Sequence, residues 1–269
     1  MSLVLDTPKS GPCTREAAFD KALIPEATNT YQPLPNKVLL DIIYRIAEDH
    51  GLILGNEQLG LDFKGQRFFG VNDIVGKDFF GGTVGLQIGY CNSYNGTMST
   101  RFCIGGKVFV CSNRAFHAYT DGKTGISGVA VRSHWQYQGD QHEGLIVRIK
   151  AAFEQIEDFR DAQERFYEGL LNRKLSDDRA YGTIVRAAQA GVINKTKVLT
   201  LANEWNRQAE EPKAGDDFEW HPEFHGRNAF SLFNAFTQVE KDRFEKNPVA
   251  SNMSTIDLSG FFCEEFRLN

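Results

Sequence analysis

Between residues 89 and 116 the chain reads GYCNSYNGTMSTRFCIGGKVFVCSNRAF, and the side chains able to do chemistry are concentrated there. Cys91, Cys103, Cys111 and His117 lie 12, 8 and 6 residues apart. Structural zinc sites bring ligands in close pairs, because one tight turn then supplies two of them. No such pair occurs, so the cysteines read as small buried hydrophobes with free thiols, although Cys91 and Cys103 could face each other across a hairpin. A nucleophile reading takes Cys111 with His134 or His117 as base, and needs the two side chains within hydrogen-bond reach. Phosphate-cradling and dinucleotide-binding motifs do not occur in the chain. Neither a cofactor nor a metal is expected, and no catalytic residue is assigned.

The same stretch and its flanks interleave cations with flat rings. Binding a single nucleic-acid strand needs cations for phosphates and aromatic faces for bases, each stacked base contributing about 1–3 kcal/mol. Lys64, Arg67, Arg101, Lys107, Arg114 and Arg132 are the candidates for phosphate contacts; Phe69 and Tyr94 are the candidates for stacking. Most strand aromatics are nevertheless core, and scattered Lys and Arg are ordinary surface.

These residues must be positioned by strands. Leu59, Leu61 and Phe63 alternate with polar or small residues, Lys64-Gly65 makes a turn, and QRFFGV returns as the second strand of a hairpin. Val84, Leu86, Ile88 and Tyr90 alternate on one face. Asn95-Gly96 is a strong signal for a type I′ turn, with Met98, Phe102 and Ile104 on the return strand. Gly105-Gly106 is expected to be a second tight turn, and Lys107 to Cys111 a third strand. Residues 83–111 thus form a three-stranded antiparallel meander in this reading.

Helices flank the strands. NKVLLDIIYRIAEDHG carries Leu39, Ile42, Ile43 and Ile46 at helical spacing, with Asn36 as cap and Gly51 as terminator. A 28-residue helix is expected from GLIVRIKAAFEQIEDFRDAQERFYEGLL, about 40 Å long. Ser176 starts another that Gly191 ends, residues 195–208 form a third, and RNAFSLFNAFTQVEKDRF a last. The chain divides into an irregular arm at 1–35, rich in proline; an α+β core at 36–175; and a helical region at 176–269 with a charged linker at 207–226.

Composition bounds the rest. Of 269 residues, 41% are hydrophobic and 21 are Phe, enough for a large aromatic core. No apolar run nears the roughly 20 residues of a membrane span, and the first residues lack the basic-then-apolar pattern of a secretory signal. Five cysteines at irregular spacing suit a reducing cytoplasm. The net charge of −5 divides as −2 over residues 1–56, +3 over 57–150 and −6 over 151–269, so only the strand-rich segment leans toward an anionic partner.

The turn Asn92-Ser93-Tyr94-Asn95-Gly96 and the strand Lys107-Val108-Phe109-Val110-Cys111-Ser112-Asn113 resemble the signature of the phage/plasmid-like protein family, domain-of-unknown-function family 932. Arg132-Ser133-His134 and the segment Asn228-Ala229-Phe230-Ser231-Leu232-Phe233-Asn234-Ala235-Phe236-Thr237 resemble its later elements, so the likeness spans roughly residues 55–245. Tyr94-Asn95 stand where the family has His-Asp, and Lys107 where it has Arg. The resemblance implies a phage, prophage or plasmid setting and no established activity. The element order is also similar to the core of ring-forming single-strand annealing proteins of recombination. That topological likeness implies single-stranded DNA as partner, a homo-oligomer, and a bacterial host cytoplasm. Two alternatives stand beside it: a phage protein that blocks a host or defence factor through its acidic helical half, and a cysteine- or metal-dependent enzyme.

Overall fold

The computed structural model describes residues 10–28, 31–62, 64–79, 84–96, 100–108, 114–115, 131–133, 141–211, 224–246 and 258–268. The chain is an α+β protein with one antiparallel sheet and helices on one of its faces and beyond it. Strands β1 (Ser10–Cys13), β2 (Ile53–Asp62), β3 (Arg67–Phe79), β4 (Val84–Ser93), β5 (Thr100–Val108) and β6 (Arg114–Ala115) follow in spatial order. A seventh, β7 (Val131–Ser133), pairs with the start of β5. The helices are α1 (Arg15–Ala18), α2 (Asn36–Asp49), α3 (Gln141–Glu154), α4 (Ile156–Leu171), α5 (Asp177–Gln189), α6 (Val198–Ala209), α7 (Ala229–Lys246) and α8 (258–266).

Period-two patterning builds the sheet. Val84, Leu86, Ile88 and Tyr90 of β4 are buried on the side where α2 and α3 pack, with Phe68 and Ile74 of β3 and Phe102 and Ile104 of β5. Phe102 meets Phe153 of α3 at 5.3 Å between ring centroids, and Phe153 meets His50 after α2 at 5.8 Å. Each such fully buried side chain contributes about 1.5–3 kcal/mol.

Several expectations change in three dimensions. Gly105-Gly106 is no turn: β5 runs straight through it, Gly105 facing Gln87 and Gly106 facing Leu86. A diglycine accepts an extended backbone as readily as a turn, and extension supplies β4 with ladder partners from Val84 to Cys91. The connection at Asn95-Gly96 is longer than a two-residue turn, because β4 stops at Ser93 and β5 starts at Thr100. Gly96 has φ +71°, while the Asn95 side chain accepts from Ser93 Oγ at 2.8 Å. Tyr94 leaves the ladder; its N–H donates to the Gln66 carbonyl at 2.8 Å.

The 28-residue helix is two. It breaks at Gln155, whose backbone sits at φ −93°, ψ 7° and whose N–H reaches back to Ala152 O at 3.3 Å. The break lets α3 lie on α2 and the β5–β7 edge while α4 packs on α7, which a straight rod of about 40 Å could not do. The arm expected to be irregular contributes the edge strand β1, with Pro12 opposite Gly60, a position where a missing N–H is tolerated. Asn36 is not the cap of α2. Pro35 occupies that place, and the Asn36 side chain donates to Ala18 O at 3.0 Å.

Other local signals hold. Gly51, Gly65 and Gly191 sit at φ +66°, +65° and +76°, and Ser176 Oγ accepts from Arg179 N at 3.3 Å to start α5. The helical half closes on aromatic edges: Phe233 and Phe236 meet Phe262 at 5.2 and 5.3 Å. Glu265 of α8 is held by Arg179 at 2.7 Å and Arg186 at 2.5 Å. Among the described residues, no helix is long and apolar enough to cross a membrane.

Candidate nucleic-acid interface

The strand register sorts the candidate residues onto the sheet. Phe69, Cys91, Arg101 and Arg132 are successive partners across β3, β4, β5 and β7, so four strands contribute one transverse row. Arg67 lies two positions from Phe69 and opposite Ser93. Lys107 is paired with Gly85 on one side and Arg114 on the other, making a second row. Positions 101 and 107 are six apart on β5, an even number, so both rows belong to the face turned away from α2 and α3. They are separated by about 20 Å at roughly 3.4 Å per residue. Arg67 is exposed, and Phe69 and Arg101 are half-buried.

Two candidates stand apart from the rows. Lys64 is exposed on the β2–β3 turn. There Asp62 Oδ1 accepts from Gln66 N at 2.6 Å and Arg67 N at 3.2 Å. Tyr94, chosen for stacking, is 6% exposed. Its hydroxyl accepts from the N–H of Asn36 at 2.9 Å, and its carbonyl accepts from the Tyr31 hydroxyl at 3.2 Å. Burial raises its phenol pKa. Its ring therefore presents no open face to a base; it supplies an acceptor to the first turn of α2.

The motif around Tyr94 is a fastening. Asn92 Nδ2 donates to Leu34 O at 2.7 Å and to Asn36 Oδ1 at 2.9 Å, and Asn92 Oδ1 accepts from Thr100 Oγ1 at 2.8 Å. Asn36 and Asn92 are 1% and 2% exposed, and this satisfied network ties the N-terminal segment to the sheet. A second chain runs through the helix side of the sheet. The Tyr90 hydroxyl donates to Asn72 Oδ1 at 2.8 Å, Asn72 Nδ2 to the Tyr44 oxygen at 2.8 Å, and the Tyr44 hydroxyl to Glu57 Oε2 at 2.9 Å. Arg15 closes it with two bonds to Glu57, at 2.6 and 2.7 Å. Burial, ahead of the Glu57 hydrogen bond, raises the Tyr44 phenol.

Sequence reading missed a polar group on the other face. A bulge in β2 between Gly55 and Gln58 sends Asn56 to one side of the sheet and Glu57 to the other. Asn56 takes φ +46°, a value Asn tolerates. Its Nδ2 donates to Asp73 Oδ2 at 2.7 Å, and Gln87 Nε2 donates to Asp73 Oδ1. The signal in the sequence was the set alternating with the apolar one on β4, Gly85, Gln87 and Gly89; its partner Asp73 becomes visible only with the register.

The thiols are placed as follows. Cys91 faces Arg101, not Cys103, which faces Gly89. Diagonal partners of this kind are about 7–8 Å apart, beyond the Cα separation a disulfide spans. Among the described residues, Cys13, Cys91 and Cys263 form no disulfide. Burial pushes the Cys13 and Cys263 thiols up to about 11. Cys111, His117 and His134 lie outside the described residues. Among the described residues, no three His, Cys, Asp or Glu side chains are gathered as a metal would require. In comparisons with known proteins, no protein-family model, curated protein or solved structure matches the chain.

Proposed function

We propose that this protein binds, and anneals, single-stranded DNA through the basic residues of its strand-rich segment. The observation that supports this reading is the register that sets basic residues at paired positions, 101 with 132 and 107 with 114. A phosphate held by such residues would accept charge-assisted hydrogen bonds. Phe69, in the row with Arg101, adds a ring at the height of a base. Two rows about 20 Å apart suit an extended strand of several nucleotides. The acidic total of −5 makes one copy a weak binder, so several copies along one strand are part of the proposal, as is the phage or plasmid setting implied by the Asn92–Gly96 signature.

Fluorescence anisotropy with a labelled single-stranded oligonucleotide at two salt concentrations tests it. Affinity should fall with salt, with a log–log slope of about 0.7 per phosphate contact. Arg67→Glu with Arg101→Glu, shown to be folded by its thermal melt, should reduce affinity. Absence of binding by the wild type at low salt would reject the reading and favour a protein partner for the acidic helical half.

A further inference from the structure

We infer that the C-terminal helix α8 is an exchangeable docking element, and that the groove it fills also accepts the α8 of a second copy of this chain. Three observations converge. First, α8 carries the anchors of a groove-bound peptide. Leu258, Phe262 and Phe266 recur every four residues on one side of it, each at most 4% exposed. An amphipathic helix seats in a groove through a stripe of this kind. Phe262 enters edge-on against Phe233 and Phe236 of α7, at 86° and 88° to their planes. Second, the rim of the groove is basic and the segment is acidic. Arg173, Arg179 and Arg186 supply the rim, while α8 carries Glu264 and Glu265 and no cation. Arg186 donates to the Glu265 carboxylate through Nε at 3.0 Å and Nη2 at 2.5 Å, a bidentate grip. Arg173 and Arg179 donate to the Phe266 and Glu265 carbonyls at 2.9 and 3.3 Å, where the end of a helix leaves acceptors without partners. Third, α4 leaves room for the end of the chain. Arg267 takes φ +52°, and the Leu268 N–H returns to Cys263 O at 3.0 Å. That turn lays Leu268 on Gly169, where a Cβ would lie 2.9 Å from Leu268 Cδ2.

The occupant of this groove is tied to it loosely. An isolated helix needs about 12–15 residues to hold its shape in water. Helix α8 has nine, 258–266, so docking is what orders it. Its covalent link to α7 is the segment NPVASNMSTID, residues 247–257. A stretch of that length spans up to about 36–40 Å when extended, enough to reach an adjacent copy. A helix delivered by a second copy makes the same contacts, so a reciprocal exchange loses none of them and needs no new surface. The link favours the helix of the same chain when copies are dilute, and exchange grows as they crowd. The inference does not rest on DNA binding; it supplies a contact that joins copies of the chain.

The test uses two full-length variants with opposite charge changes. One carries Glu265→Arg, the other Arg179→Glu with Arg186→Glu. Within either chain, helix and groove now repel. Between the two chains, an exchanged pair matches both helices to both grooves. The variants are unfolded in urea, refolded together, and their dimers counted by native mass spectrometry. The expected result is a 1:1 heterodimer, about tenfold more abundant than the homodimer of either variant refolded alone. A mixture that stays monomeric overturns the inference. Homodimers as abundant as the heterodimer place the contact elsewhere and also overturn it. Should either variant fail to refold, Arg186→Lys keeps the charge and adds an amine. Light and 15N-labelled copies of it are refolded together at high concentration and treated with a carbodiimide, which couples the Glu265 carboxylate to that amine. Crosslinked peptides joining a light to a heavy copy support the exchange; crosslinks confined to one isotope overturn it.

Discussion

The two faces of the sheet are built from different chemistry. On the helix side, Phe68, Leu86, Ile88, Tyr90, Phe102 and Ile104 fill the core, and the polar atoms among them form a chain of satisfied bonds from Tyr90 to Arg15. On the other side stand buried glycines, the half-buried Phe69 and Arg101, and the polar group of Asn56, Asp73 and Gln87, whose Oε1 has no hydrogen-bond partner among the described residues. The first face is held by burial of rings and aliphatic chains, and the described polar group of the second is held by hydrogen bonds to Asp73.

If that division holds, substitutions should separate into two classes. The largest stability loss belongs to Phe102→Ala. It removes a fully buried ring packed on Phe153 and should cost about 3–5 kcal/mol in urea unfolding. Gly70→Ala comes next. A Cβ there would lie 2.0 Å from Tyr90 Cε2 and 2.6 Å from its hydroxyl oxygen. The ring must move and surrender its bond to Asn72, so a loss of about 3 kcal/mol is expected. Tyr90→Phe keeps the ring and leaves the Asn72 oxygen without that donor, a cost of about 1–2 kcal/mol. On the opposite face, Arg67→Glu with Arg101→Glu should lower oligonucleotide affinity, and the salt slope should lose about 0.7 for each contact removed. Unchanged affinity and slope in the folded variant would break the comparison.

The smallest effect expected concerns Cys13, opposite Leu59 at the rim of the helix face. Its thiol is raised from 9.0 to about 11, first by burial and then by the Glu57 charge. A raised thiol contributes stability that is whole below pH 9 and is lost as pH rises toward 11. Cys13→Ser should therefore flatten a slight alkaline decline in melting temperature. Maleimide labelling of Cys13 in the folded protein should be slower at pH 8 than in the urea-unfolded chain, because the thiolate is the reacting form.

Part of this protein was written locally. Alternation at Val84, Leu86, Ile88 and Tyr90 fixed a strand and its core face, because the side-chain period of a strand is two. Glycines placed for left-handed backbone ended α2 and α5, and Ser176 started α5, because those preferences are properties of one or two residues. The helical spacing of residues 144–171 was equally legible, but its break at Gln155 was not, since nothing in that segment records where α2 and α7 will lie. Gly105-Gly106 permits both a turn and an extended strand, and the free edge of β4 chose extension. Tyr94 has the composition of a stacking residue; the unpaired N–H of Asn36, 58 positions earlier, made it a cap. The same holds for the second face of the sheet. Arg101 and Arg132, or Asn56, Asp73 and Gln87, are distant in sequence, and the register that sets them side by side is a long-range property of the whole sheet, in which a slip of one residue would turn each strand's side chains to the other side.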